Sequence, residues 1–319
     1  MLVVAVVVFG VLRIIPADPL AMMLPPNATS ADAERMRHAF GLDRSIPEQF
    51  MIWLGHAVHG DLGTSIQSRI PVSQLIIAAL PTTVELVVSA LIVGTSLGFV
   101  FGILTFCARG TRLEQVGEIL ASLAQAIPEF LWGILLILLF GLWLHALPFI
   151  GPIDARMVVS SRTGFMLIDT VLAQRWDAFG SHLSHLILPT IAIAMIKLPL
   201  IMRLLRSSLI DVYTEDYIDA ARLRGVGEAR ILFRHALRNA AMPTVTLISV
   251  QAAQAFGGSL LIEAIYGLPG LGNLMIGAIR THDLPLIQGI TLTYCAVVLL
   301  VNGVVDVTYL WLNPRLRAR

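Results

Sequence analysis

The sequence predicts an all-α polytopic membrane protein built around six transmembrane helices. Three observations predict it. Hydrophobic residues make up 56% of the 319-residue chain and charged residues only 13%, about half of what soluble domains carry. The apolar residues gather into long runs approaching the ~20 that cross a bilayer. Arginines collect in alternate segments between those runs, the asymmetry expected of a chain threaded through a membrane.

The first run, MLVVAVVVFGVLRII over about 1–15, is short for a span. Either the helix continues past Arg13, whose side chain snorkels to the interface, or its natural start lies upstream. No positive region precedes the run and no small-x-small cleavage site follows it, so a retained span is expected in place of a signal peptide. Residues 16–79 read as an extracytoplasmic helical segment. Its stretch ADAERMRHAFGLDRSIPEQFMIWLGHAVHGDLG has helical periodicity and ends on a Gly-Asp-Leu-Gly turn signal. Five further helices, about 82–106, 119–145, 186–205, 242–264 and 286–312, complete a transmembrane domain over 80–312. Residues 313–319 form a tail.

Orientation follows from the arginines. Residues 107–118 carry Arg109 and Arg112. Residues 206–241 carry Arg206, Arg222, Arg224, Arg230, Arg234 and Arg238, and the tail carries Arg315, Arg317 and Arg319. The positive-inside rule assigns all three segments to the cytoplasm, and six spans put them on one side, with both termini inside. The segments 16–81, 146–185 and 265–285 are then external, and the second contains a polar insert at 152–180.

Several chemistries are absent. Lys197 is the only lysine, so no phosphate-binding loop of the G-x-x-x-x-G-K-[ST] kind exists, and any ATP that drives this protein is hydrolysed by another chain. A net charge of +1 without a concentrated basic surface gives no nucleic-acid footprint. Cys107 and Cys295 lie far apart and read as two buried thiols. His56/His59 and His182/His185 have the spacing for one helix face but no third ligand, so they read as interfacial or solvated histidines. Neither H-E-x-x-H nor G-x-S-x-G occurs, and GGSL at 257–260 reads as a site of close helix packing. No catalytic residue and no metal ligand is assigned.

Ionisable and polar residues inside spans are candidates for function. They are Glu85, Lys197 and the pair Asn302 and Asp306, which share one helix side at i, i+4. A buried Glu85–Lys197 pair is expected to remove the cost of two lone charges; snorkelling is the competing reading. An ion-coupled secondary transporter uses such groups, which makes it the alternative from another class, although no internal repeat accompanies them.

The densest polar segment, 211–241, has acids early and arginines late, as the helix dipole favours. DVYTEDYIDAARLR reads as a helix, Gly225 as a left-handed cap, and EARILFRHALRNAAMP as a second helix running to Pro243. Small Ala220 and Ala221 permit close approach of another surface, with Tyr217, Ile218 and Leu223 as apolar anchors. The result is a cytoplasmic docking knob.

Asp219-Ala220-Ala221, three residues, then Gly225 resembles the E-A-A-x-x-x-G loop of type I ABC importer permeases. RHALRNAAMP is similar to the form in the dipeptide/oligopeptide/nickel branch. So, in order, are RIIPADPL, FGLDRSIPEQFMIWLGHAVHGDLGTSI, LPTTVEL, HLILPT, LIEAIYGLPGLGNL, HDLPLIQG and VNGVVDVTYLWLNPRLR. Together they resemble the B-type permease subunit. The chain departs from the common pattern in having Asp219 for Glu, and His235-Ala236-Leu237-Arg238 where many members have I-x-L-P. The resemblance implies a multi-pass permease of the bacterial inner membrane, translocating di- or oligopeptides. Its implied partners are a second, C-type permease subunit, two cytoplasmic ATPases and an extracytoplasmic binding protein. ATP and magnesium would sit on the ATPases and no cofactor on this chain. Coupling to the ATPase is expected at Tyr217, Ile218, Asp219, Ala220, Ala221, Arg222, Leu223, Arg224 and Gly225. Import of nickel or a metal chelate, an opine or glutathione is the alternative within the branch.

Overall fold

The computed structural model describes residues 2–14, 34 and 43–312. The RIIPADPL stretch beyond Ile14, most of the segment before Asp43, the tail arginines and the Asp306 side chain lie outside the described residues. Within them the protein is all-helical.

Helix α1 (Leu2–Ile14) and α2 (Ile46–Val58) meet through Phe9, whose ring centroid lies 5.5 Å from those of both Phe50 and Trp53. Glu48 caps α2 by accepting the Ser45 N–H at 3.2 Å. A tight loop, with Gly60 and Gly63 at positive φ, then delivers the chain to α3 (Val72–Cys107). α3 packs along α7 (Trp176–Val212) through Gly94, Gly98 and Gly102, one residue per turn on one stripe. A Cβ on Gly98 would lie 2.6 Å from Ile201 Cγ2, and one on Gly102 would lie 3.0 Å from the Met202 carbonyl oxygen. Without a hydrophobic drive between helices in lipid, such close backbone approach supplies the packing energy.

Between these two helices the chain does not make the single span expected at 119–145. It forms α4 (Arg112–Ala126) and α5 (Glu129–Trp143), bent by 102° at the break. Pro128 has no N–H to continue the helix and disfavours helical geometry at Ile127, which is extended (ψ 125°). Trp132 closes the corner by donating Nε1–H to the Ala124 carbonyl at 2.9 Å. α5 ends in a wide turn where the Leu144 N–H reaches back five residues to Leu139. The polar insert at 152–180 holds a short helix, α6 (Met166–Leu172).

α8 (Asp216–Leu223) follows α7, and α9 (Glu228–Tyr266) begins with a wide turn at Ile231–Ala236. Gly267 caps α9 in the left-handed region at φ 64°. Then come α10 (Leu271–Arg280) and α11 (Leu284–Leu312). Among the described residues four helices are long and apolar enough to cross a membrane: α3, α7, α9 and the Leu284–Val304 part of α11. The bent α4–α5 pair adds a fifth only if its two arms are taken together as one span. The 13 residues of α1 fall short by length. The expected boundaries at 82, 186 and 242 each fall ten or more residues late, because hydropathy marks the oily part of a helix while the helix itself continues into polar surroundings.

Candidate coupling element and buried charge pairs

α8 is amphipathic, and its two faces separate the expected coupling residues. Ile218 and Ala221 are buried, in a cluster with Phe106, Leu205, Leu209, Ile231, Leu232 and Ala236. They are the seat of the helix. The expectation that Ile218 and Ala221 present themselves to a partner is therefore corrected: a buried apolar face of this helix already has its partner in α3, α7 and α9. Tyr217, Asp219, Ala220, Arg222, Leu223, Arg224 and Gly225 are exposed, Leu223 to 90%.

The turn after α8 is fixed by its backbone. Gly225 adopts φ 76°, its N–H donates to Arg222 at 2.9 Å, and the Val226 N–H donates to Ala221 at 3.1 Å. Glycine takes this conformation without the steric cost a Cβ brings. Arg222 clasps both sides of the turn: Nε donates to Glu228 at 2.8 Å and Nη1 to Asp219 at 3.0 Å. Glu228 and Asp219 hold the guanidinium pKa above its ordinary value. Arg222 is thus occupied within the chain, and Arg224 donates to the Ala220 carbonyl at 3.0 Å. Asn239 Nδ2 donates to Tyr217 Oη at 2.8 Å and ties α8 to α9. Phe233, 61% exposed on the wide turn of α9, joins the exposed apolar groups of this region, though its motif position gave no sign of it.

The expected Glu85–Lys197 pair is not formed; each has a different partner. Lys197, 2% exposed midway along α7, lies 3.3 Å from Glu129 at the start of α5. Gly258 gives the Glu129 carboxylate its room, since a Cβ there would collide with it, so GGSL accommodates a charge as well as a helix. Glu85 accepts the Leu167 N–H at 2.8 Å and faces His182 Nε2 at 3.2 Å. His182 Nδ1 lies 2.5 Å from the Pro152 carbonyl oxygen, so both ring nitrogens face oxygen. His182 and His185 are buried, not solvated as expected, because they lie on the part of α7 that packs beneath the insert. His56 and His59 are exposed. Cys107 is exposed and Cys295 half-buried, where two buried thiols were expected: Cys107 is the last residue of α3, beyond its packed face. Asn302 is exposed on α11.

The signals for Glu129 and His182 were present in the sequence. Glu129 falls inside the run expected to span, which by itself marks a carboxylate needing a partner.

The insert is held by a second carboxylate. Buried Asp169 accepts N–H groups of Arg162, Thr163 and Gly164 at 3.1, 2.8 and 3.1 Å, and the Thr163 hydroxyl at 2.8 Å. Burial pushes its pKa up, but these four hydrogen bonds outweigh that and hold it below the ordinary 3.8. At the far end of α9, buried Glu263 accepts the Gly272 N–H at 2.7 Å, and Thr83 Oγ1 accepts the Leu271 N–H at 2.8 Å.

The chain as a whole is similar to known proteins. The family model described as binding-protein-dependent transport system inner membrane component matches residues 94–318, and its N-terminal companion matches residues 1–87. The di/tripeptide transport system permease protein DppB of Pseudomonas aeruginosa is 36% identical, over 98% of this chain and 94% of its own length. The dipeptide transport system permease protein DppB of Escherichia coli K12 is 36% identical over 97% and 92%. A solved structure described as inward-facing conformations of the MetNI methionine ABC transporter shares the fold at TM-score 0.58 and 15% identity, over 75% of this chain and 97% of that one. The chain is therefore a multi-pass, non-catalytic member of the binding-protein-dependent transport system inner membrane component family.

Proposed function

We propose that this chain is the permease subunit through which an ATP-driven importer moves di- and oligopeptides across the cytoplasmic membrane. Likeness over nearly the whole length to permeases named for dipeptides carries the substrate class. The absent phosphate-binding loop supports a separate ATPase, and the exposed side of α8 supports its docking there. In this reading six helices span, both termini are cytoplasmic, and the partners are a second, similar permease, two ATPases and an extracytoplasmic binding protein.

The mechanism follows from the seat of α8. ATP binding closes the ATPases and displaces α8. Ile218 and Ala221 are packed against α7 and α9, and Tyr217 is bonded to Asn239, so α8 moves together with both spans. Leu223, Tyr217, Ala220 and Phe233 form the apolar contact, while Arg222 with Asp219 and Glu228 keeps the knob in shape. Among the charged groups an ion-coupled transporter would need, Glu85 and Lys197 are paired within the bundle.

The test is uptake of a labelled dipeptide into vesicles holding the four membrane and ATPase subunits with their binding protein. Uptake that needs ATP and is blocked by vanadate supports the reading. Uptake driven by an ion gradient without ATP refutes it, and ATP-driven uptake of a nickel chelate but no peptide refutes the substrate class alone.

A further inference from the structure

We propose that α4 is an in-plane membrane helix whose outer face lies among the acyl chains of the leaflet nearest α8, a reading that rests on membrane insertion and not on the substrate or the motor. α4 is amphipathic in the opposite sense to a soluble surface helix, for its polar side faces its own protein. Arg203 donates to Glu118 at 3.1 Å, Gln125 at 3.0 Å and Ser122 at 2.6 Å, and Arg206 pairs with Glu118 at 3.5 Å and with Glu114. Ala121 and Ala124 are buried on that side. These bonds fix the roll of the helix.

What remains facing away is Leu113, Val116, Ile119, Leu120 and Leu123, each 51–74% exposed. Their spacing places them on one arc of about 120° at ~100° per residue. In water this stripe would be costly.

Three observations identify lipid as the occupant. The first is depth. Arg203 ends the apolar stretch of α7 from Leu186 to Met202, in which Lys197 is the only charged residue, so its bonds place α4 level with the edge of that stretch. The second is direction. α5 packs along α7 and α9, and α4 turns from it by 102°, so α4 runs across the bundle rather than with it. A helix at that depth and angle, with its oily side turned outward, has the geometry of an interfacial helix. The third is charge. Arg112 opens α4 within the same arc, exposed and without a partner among the described residues, where a lipid phosphate can meet it. Because Arg203 and Arg206 join α4 to the last turns of α7, the leaflet would hold the helix that leads directly into α8.

The experiment uses the assembled transporter in vesicles of phosphatidylethanolamine and phosphatidylglycerol. Nitroxides are attached to Val116→Cys, Leu120→Cys or Leu123→Cys after Cys107 and Cys295 are replaced by serine, with Ser160→Cys in the external insert as the water standard. Oxygen collisions exceeding nickel-chelate collisions at all three α4 positions, with the reverse at 160, is the expected result. Nickel-chelate collisions at 120 matching those at 160 would overturn the proposal, as would protection from both reagents, which means a protein covers the stripe. The unlabelled transporter gives an independent answer. A photoactivatable phosphatidylglycerol should cross-link within 112–126, and capture of that helix by the second permease subunit without lipid adducts overturns the proposal even if labelled variants fail to assemble.

Discussion

Replacing Lys197 with methionine isolates the energetics of the bundle centre. Methionine retains the apolar stem that packs against Gly94, where a Cβ would lie 3.4 Å from that of Lys197, but it removes the cation. Glu129 is then left 18% exposed, pressed on the Gly258 backbone, with its only ionic partner among the described residues gone. Removing one member of a buried pair costs about 3–5 kcal/mol. The residual exposure of Glu129 screens part of this, so a loss of about 3 kcal/mol, at the low end, is expected. Lys197→Met combined with Glu129→Gln removes the stranded charge and should recover about 2 kcal/mol of that loss. Unfolding of the purified transporter by titration with sodium dodecyl sulfate, followed by circular dichroism, measures both. A single variant as stable as the parent, or a double variant no better than the single, would show that the pair carries no such energy. In that event Glu129 already finds water or another donor.

Three further outcomes follow from the geometry. Leu223→Ser should sharply reduce ATP-dependent uptake while leaving the melting temperature of the permease unchanged, whereas Ala221→Phe should lower that temperature, since overpacking a buried site costs about 1–3 kcal/mol; similar melting temperatures for the two would contradict the assigned faces. His182→Leu deprives Glu85 of its ring partner and should speed amide exchange over residues 151–172 without affecting 216–225, and unchanged exchange in the insert would sever the proposed tie. The lowered Asp169 pKa means the unfolded loop binds more protons than the folded one, so its contribution is complete above about pH 4 and is lost as pH falls through the folded value, below 3.8. Protection factors of the Arg162–Gly164 amides, corrected for intrinsic exchange, should therefore fall below that pH in the parent and show no such acid step in Asp169→Asn.

The sequence made the long apolar helices and the helix–turn at 216–225 legible because each rests on a local signal. Apolar runs locate α3, α7, α9 and α11, and Gly225 announces its own left-handed turn. What it left hidden depends on rotation and distant contact. Ala221 and Ala220 are adjacent and equally small, yet one is buried and the other exposed, and only the packing of α8 on Phe106 and Ile231 decides which. The partners of Lys197 and Glu85 lie 68 and 97 residues away along the chain, so charge counting paired the two nearest in character instead. The bend at Pro128 was written in the Ile-Pro-Glu stretch, but the hydropathy of the flanking residues runs through it unbroken.

The length of α9 has a consequence for how a displacement at one end would reach the other. Its 39 residues make a rod about 58 Å long at ~1.5 Å per residue, with the Asn239–Tyr217 bond near the base and Glu263 near the tip. A tilt of about 5° at the base carries the tip roughly 5 Å, with the wide turn and Pro243 both confined to the lower half. Such gearing delivers distance and surrenders thrust. Under the proposed mechanism, a strong, short stroke at α8 would arrive at the Glu263–Gly272 clamp as a long, weak one, so the hold of that clamp on α10 would set the load against which that stroke works.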